Sequence, residues 1–201
     1  MLIMGNELRI KKHAEDVAAL FKEIDQAQAE FASASGIACL PGCGKCCYNP
    51  EIEISPLEVY PWALEIIKRG EAEKYLELLA GHGSAVCFFY RYDLNDPTQG
   101  CCDNYHFRPL LCRLFGCSIL PDKFGDPRPV LCKLVKKADP DLENRVTQLT
   151  KKGINAPVFN TYYTRLAGID HFFGNARLPI NRAFADTLQK ISYLAELETL
   201  F

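Results

Sequence analysis

Four cysteines fall within nine residues, Cys39, Cys43, Cys46 and Cys47 of the run CLPGCGKCC. Thiolates are soft donors, so such a run narrows any bound metal to zinc, an iron–sulfur cluster or copper(I). The two-residue gap between Cys43 and Cys46 lets neighbouring thiolates in a turn converge on one centre. Pro41, Gly42 and Gly44 disfavour a regular helix here and let the backbone bend closely around an ion. Cys46 and Cys47 are adjacent, and neighbouring side chains of an extended backbone point apart. That geometry favours two metal centres, or a polynuclear cluster that receives thiolates from different directions, over one tetrahedral ion.

A second group follows: Cys87, Cys101, Cys102 and Cys112. With ten cysteines in the chain, a single four-thiolate zinc site would leave several unused. Arg108 and Arg113 flank Cys112 and Lys45 lies inside the first run, so cations are at hand to offset thiolate charge or to pair with surface carboxylates. Tyr105 reads as a packing residue with a satisfied hydroxyl. Among the histidines only His106, between Cys102 and Cys112, is placed to be a further ligand. Gly42-x-Gly44 lacks the surroundings of a nucleotide loop, and no Walker, HExxH or nucleophile-elbow motif occurs. The chain therefore shows no catalytic motif.

The leading cluster, the ISPLEV segment at 54–59, the Cys87-Phe88-Phe89 step and the stretch CDNYHFRPLLCR at 102–113 together resemble the CxxCxxCC family of zinc- or iron-chelating proteins. The resemblance runs from Cys39 to about Cys132. Family members carry C-x2-C-x2-C-C, whereas here three residues separate Cys39 from Cys43. A later family cysteine corresponds to Cys132, while Cys101 and Cys117 have no counterpart and read as small buried residues or spare thiols. The resemblance implies a metal-ligand set of Cys39, Cys43, Cys46, Cys47, Cys87, Cys102, Cys112 and Cys132. It implies zinc or iron, mononuclear or as an iron–sulfur cluster with a redox or sensing role, and more than one metal ion. Proteins similar in this motif include a flagellin lysine N-methylase, which offers a part in S-adenosylmethionine-dependent protein lysine methylation as an alternative. A zinc-stabilised protein-interaction module is another.

The rest of the chain must hold these thiols in place. Apolar residues make up 48% and charged residues 24% with a net charge of −2, the balance of a globular chain able to build a core without crosslinks. Nothing in that charge calls for nucleic acid or a membrane surface. The basic pairs Lys11-Lys12, Lys136-Lys137 and Lys151-Lys152 read as solvated faces. The adjacent cysteine pairs suit a disulfide framework poorly, and no signal peptide or apolar span is seen, so the expectation is a cytoplasmic metal protein. Any protein partner is unspecified.

Three-to-four spacing of Leu8, Ala14, Val17, Ala18, Phe21, Ile24, Ala27 and Phe31 predicts a helix over 6–34. Glu-Ile-Glu-Ile at 51–54 predicts a short strand. Ser55-Pro56 with Glu58 predicts a capped helix start running to about Lys68, kinked near Pro61. A helix over 71–79, a buried strand over 85–90, polar turns over 91–100, a short helix carrying Cys112 and a loop over 121–129 come next. Helices should return near 140–152, 157–167 and 179–200, the last with Ile180, Phe184, Leu188, Ile191, Leu194 and Leu197 on one face. The expected fold is mainly α, a single domain with helices packed around an irregular cysteine-rich centre and at most short strands. Its parts are an N-terminal helix over 1–36, a metal-chelating region over 37–138 and a C-terminal helical segment over 139–201 packing on it.

Overall fold

A computed structural model describes residues 2–40, 43–95 and 99–199, without the side chains of 2–7 and 197–199. The expectations for Pro41, Gly42 and the side chain of Leu197 lie outside the described residues. In chain order the elements are α1 (Leu2–Ser35), β1 (Glu53–Ile54), α2 (Tyr60–Lys68), α3 (Ala72–Ala80), β2 (Tyr90–Tyr92), β3 (Gly100–Cys102), α4 (Leu110–Leu114), β4 (Ser118–Pro121) and β5 (Pro127–Val130). They continue with α5 (Lys133–Ala138), α6 (Leu142–Lys151), α7 (Phe159–Ile169), α8 (His171–Asn175), β6 (Leu178–Pro179) and α9 (Ile180–Thr199). The protein is mainly α. Its strands form three antiparallel pairs, β1 with β6, β2 with β3 and β4 with β5.

The core follows the helical periodicity. On α1 the buried residues are Ala14, Val17, Leu20, Phe21, Ile24 and Phe31, while Leu8 lies outside the core at 72% exposure. Ala18 is exposed too, so the buried stripe is narrower than the spacing implies. Ile180, Phe184, Leu188 and Ile191 of α9 are buried as expected. Trp62 of α2 is the hub, with edge-on contacts to Tyr75, Phe89 and Phe184 at ring separations of 5.5, 5.5 and 4.9 Å. A smaller core joins the end of α1 to the following elements through Phe31, Ile37, Ile119, Leu131, Val135 and Val146.

Three segments differ from expectation. Residues 85–89 form bends and turns, not a strand, because the side chain of Asn181 on α9 takes over their backbone groups. Asn181 accepts from the Phe88 amide at 2.7 Å and donates to the carbonyls of Ser84 at 3.1 Å and Val86 at 2.9 Å. The polar stretch after it holds the β2–β3 hairpin, with Tyr90 opposite Cys102 and Tyr92 opposite Gly100. The expected loop 121–129 is the end of a second hairpin, β4–β5. Its turn is built by Asp122, whose carboxylate accepts from the Phe124 and Asp126 amides, with Gly125 at φ +86°. Pro61 falls in the first turn of α2, where its missing N–H costs nothing.

Glu58 ties the helices to the cysteine region. Ser55 and Glu58 form a reciprocal capping box at a 3-10 turn over Pro56–Val59. One Glu58 oxygen accepts from the Ser55 amide at 2.8 Å and the other from the Leu110 amide at the start of α4. Glu58 is 1% exposed, and burial raises its carboxyl above the usual range. Glu58→Gln keeps the shape but turns an NH2 group toward one of these two donors. It should cost about 1–3 kcal/mol, seen as a lower denaturant midpoint at unchanged slope; an unchanged midpoint would show that the two bonds do not stabilise the fold.

Gly44 and Gly100 meet backbone to backbone. A Cβ on Gly44 would lie 2.5 Å from the Gly100 carbonyl oxygen and 2.6 Å from the Tyr90 ring, at φ +53°. A Cβ on Gly100 would lie 2.5 Å from both the Arg91 carbonyl oxygen and the same ring. Gly36, at φ +73°, has open space around it. Gly36→Ala should therefore cost only the conformational strain, about 1–2 kcal/mol, and Gly44→Ala distinctly more. Equal losses in denaturation would contradict the contact.

Candidate metal centre

All ten cysteines are free thiols, and all ten line one cavity of about 620 Å3. The Gly44–Gly100 contact sets Gly44 against β3 of the β2–β3 hairpin. A turn closed by the Cys47 amide on the Gly44 carbonyl, at 2.9 Å, carries Cys46 and Cys47. Cys102 is on β3 opposite Tyr90, and Cys87 is held just before β2 by a turn from the Tyr90 amide to the Cys87 carbonyl at 3.0 Å. Cys112 is on α4, whose start is fixed by Glu58. Cys132 is the residue that opens α5.

The thiols act on one another. Cys47 is flanked by Cys46 and Cys102, and both neighbours, with burial, push its own thiol up. The Cys47 thiol in turn draws Cys46 down to about 6 and Cys102 down to about 7, and the Arg108 guanidinium pulls both the same way. Burial raises Cys112, with Cys87, Cys46, Glu58 and Cys102 adding to it. Burial also pushes Cys87 to about 11, with Cys102 contributing. Cys39 is raised by burial and then by Cys43, Cys46 and Cys132. These relations link Cys39, Cys43, Cys46, Cys47, Cys87, Cys102, Cys112 and Cys132 into one set.

Cys117 stands apart. Its thiol donates to the Gln28 carbonyl at 3.6 Å, and burial alone raises it to about 11. Cys101 is exposed. Among the described residues no three Cys, His, Asp or Glu side chains stand close enough to hold one ion as placed. The thiols surround a space; they do not converge on a point. His106 is not part of that wall: it lines a separate recess with Trp62 and Arg69, stacks edge-on against Phe107 at 4.7 Å and is exposed.

The cations divide their work. Arg113 is 3% exposed and fully engaged: it donates to the carbonyls of Arg108 and His106, pairs with Asp25 of α1 and lies 4.3 Å over the Phe21 ring. Arg108 stacks 3.5 Å over Tyr105, donates to the Tyr105 carbonyl at 3.0 Å and approaches Asp25 at 3.6 Å, yet its charge still reaches Cys46 and Cys102. Tyr105 is thus 63% exposed beneath Arg108 and not part of the core. Lys45 is exposed and also lines the cavity. Asp25, Gln28 and Asn181 have no local sequence signal, since their partners are far away in the chain. Glu58 was half visible, as the third residue of a capping box.

The described lining contains no aspartate, glutamate or histidine, while Lys45, Arg108 and Arg113 supply positive charge. Such a donor set fits thiophilic metals and excludes the oxygen-ligated sites of calcium or magnesium. The basic pairs are solvated and matched: Lys12 with Asp16, Lys136 with Glu143 at 2.7 Å and Lys151 with Asp126 at 3.3 Å. No helix among the described residues is long and apolar enough to cross a membrane.

No curated protein and no solved structure matches the chain. A family model does, over residues 38–151, described as "CxxCxxCC: putative zinc- or iron-chelating domain". The matched span is more than half the chain and contains every cysteine; the protein belongs to the CxxCxxCC family of zinc- or iron-chelating domains.

Proposed function

We propose that this chain binds iron through cysteine thiolates as an iron–sulfur centre with a redox or sensing role. The observation that carries this reading is the cavity of about 620 Å3, lined by ten thiols and three cations without an acid or histidine among its described residues. A structural zinc site draws four sulfurs to about 2.3 Å from a single ion, which leaves no such space between them. A cluster brings inorganic sulfide and several irons, and so accepts thiolates from several directions, including the adjacent Cys46 and Cys47. The ligands would come from Cys39, Cys43, Cys46, Cys47, Cys87, Cys102, Cys112 and Cys132. When bound, such a centre supplies one-electron transfer.

The protein's own contribution is positioning and charge. Residues 37–138 would provide the ligands, while the helix within 1–36 and the segment 139–201 form walls through Gln28, Ala29, Ile180 and Phe184. Cys46 and Cys102 tend to the thiolate form near neutrality, the form a metal requires. Arg108 and Lys45 offset the excess negative charge of several thiolates. A reducing, cytoplasmic setting suits ten free thiols.

Protein purified without oxygen should be brown, with broad visible absorbance and both iron and acid-labile sulfide. A colourless protein with stoichiometric zinc would contradict the iron–sulfur reading. Cys46→Ser and Cys112→Ser should each lower metal content, whereas Cys117→Ser, whose thiol is committed to the Gln28 carbonyl, should retain it. Full occupancy in either of the first two variants would refute the ligand assignment.

A further inference from the structure

We propose that the thiols divide into two clusters, a deep one on Cys47, Cys87, Cys102 and Cys112 and a solvent-facing one on Cys39, Cys43, Cys46 and Cys132. The proposal rests on the iron–sulfur reading given above and assigns the ligands of each centre. An iron–sulfur cluster is held by four cysteine thiolates, so these eight supply two. Both hydrophobic cores line the cavity, the main one through Ile52, Phe89 and Phe184 and the smaller one through Ile37 and Val135. Each core backs its own thiols. Cys87 belongs to the main core and Cys102 packs against it, while Cys112 stands on α4 between Leu110 and Leu114 of the same core. Cys132 packs against the smaller core, and Ile37 of that core precedes Cys39 by two residues.

The first cysteine run splits in the same way. One turn is closed by the Cys43 amide on the Leu40 carbonyl at 3.2 Å and the next by the Cys47 amide on the Gly44 carbonyl, with Gly44 fixed against Gly100 at the boundary. The interactions among the thiols agree with the division. After burial, Cys39 is raised by Cys43, Cys46 and Cys132. Cys47 bonds to Cys102 and Cys46, Cys102 acts on Cys87, and both act on Cys112. Cys46 reaches both groups; the deep group is complete with four, so Cys46 supplies the fourth thiol of the other. Exposure separates the groups as well. Cys39 and Cys46 are exposed and Cys43 and Cys132 half-buried, whereas Cys87 is buried and Cys47, Cys102 and Cys112 are half-buried. The second cluster is thus the one that meets solvent and redox partners.

The test uses the full chain purified without oxygen, with iron and acid-labile sulfide measured in each variant. Cys39→Ala should lower both about twofold, since one of two four-thiolate clusters is lost. Adding Cys132→Ala, in the same group, should lower them no further. Adding Cys102→Ala instead, in the other group, should remove nearly all. Electron paramagnetic resonance of the reduced wild type should show two magnetically interacting clusters, and Cys39→Ala the signal of one isolated cluster. If the variants of Cys102 and Cys132 fail to fold, the spectra of the wild type and of Cys39→Ala, an exposed position, decide. A loaded wild type with the signal of one isolated cluster, full or zero iron in Cys39→Ala, or equal losses in the two double variants overturns the division alone. A wild type lacking iron and sulfide overturns the iron–sulfur reading and this proposal with it.

Discussion

The contact on which the site depends is the approach of two glycine backbones. A Cβ on Gly44 would strike the Gly100 carbonyl and the Tyr90 ring, and a Cβ on Gly100 would strike the Arg91 carbonyl and the same ring. The approach sets Gly44 against β3, and Cys47 is flanked by Cys102 and Cys46. Fifty-four residues of chain separate Cys47 from Cys102, so their meeting has to be fixed by tertiary contacts. Tyr90 does further work as the third body. Its ring fills the corner between the glycines, and its backbone both pairs with Cys102 and closes the turn after Cys87.

Buried charge organises the opposite wall. α4 is only five residues long, too short to be stable by itself. Glu58 caps its start from the helical core, and Arg113 holds its end through two carbonyls, Asp25 and Phe21. Asp25 is half exposed, so the Coulomb part of that pair is screened; the hydrogen bonds and ring contact of a 3% exposed guanidinium matter more. This resolves the choice between two roles for the arginines. Arg113 is held by its hydrogen bonds, Asp25 and the Phe21 ring, and its charge also interacts with Cys112. Arg108, although it shares Asp25, is the one whose charge acts on both Cys46 and Cys102.

Much of this was legible in the sequence because it is local. Helix periodicity located α1 and α9, the Ser55…Glu58 spacing located a capping box, and cysteine spacing pointed to metal. What the sequence concealed is non-local. The segment 85–89 has strand composition, but Asn181 from α9 satisfies its backbone and removes the need for a partner strand. The β4–β5 hairpin contains Pro127 and Pro129 on β5, which argue against a strand until β5 is seen as an edge strand paired only with β4 among the described residues. Tyr105, read as a packing residue, instead lies exposed under Arg108. The grouping of ten thiols around one space, with Cys117 bonded to the Gln28 carbonyl, rests on tertiary contacts that spacing alone does not encode.

The proposed iron–sulfur centre requires sulfur around more than one metal atom in this cavity. X-ray absorption at the iron edge of anaerobically purified protein tests this most directly. The expected first shell is sulfur, together with metal–metal scattering from a neighbouring iron. A first shell of nitrogen or oxygen, or a lone metal with no metal neighbour, would contradict it.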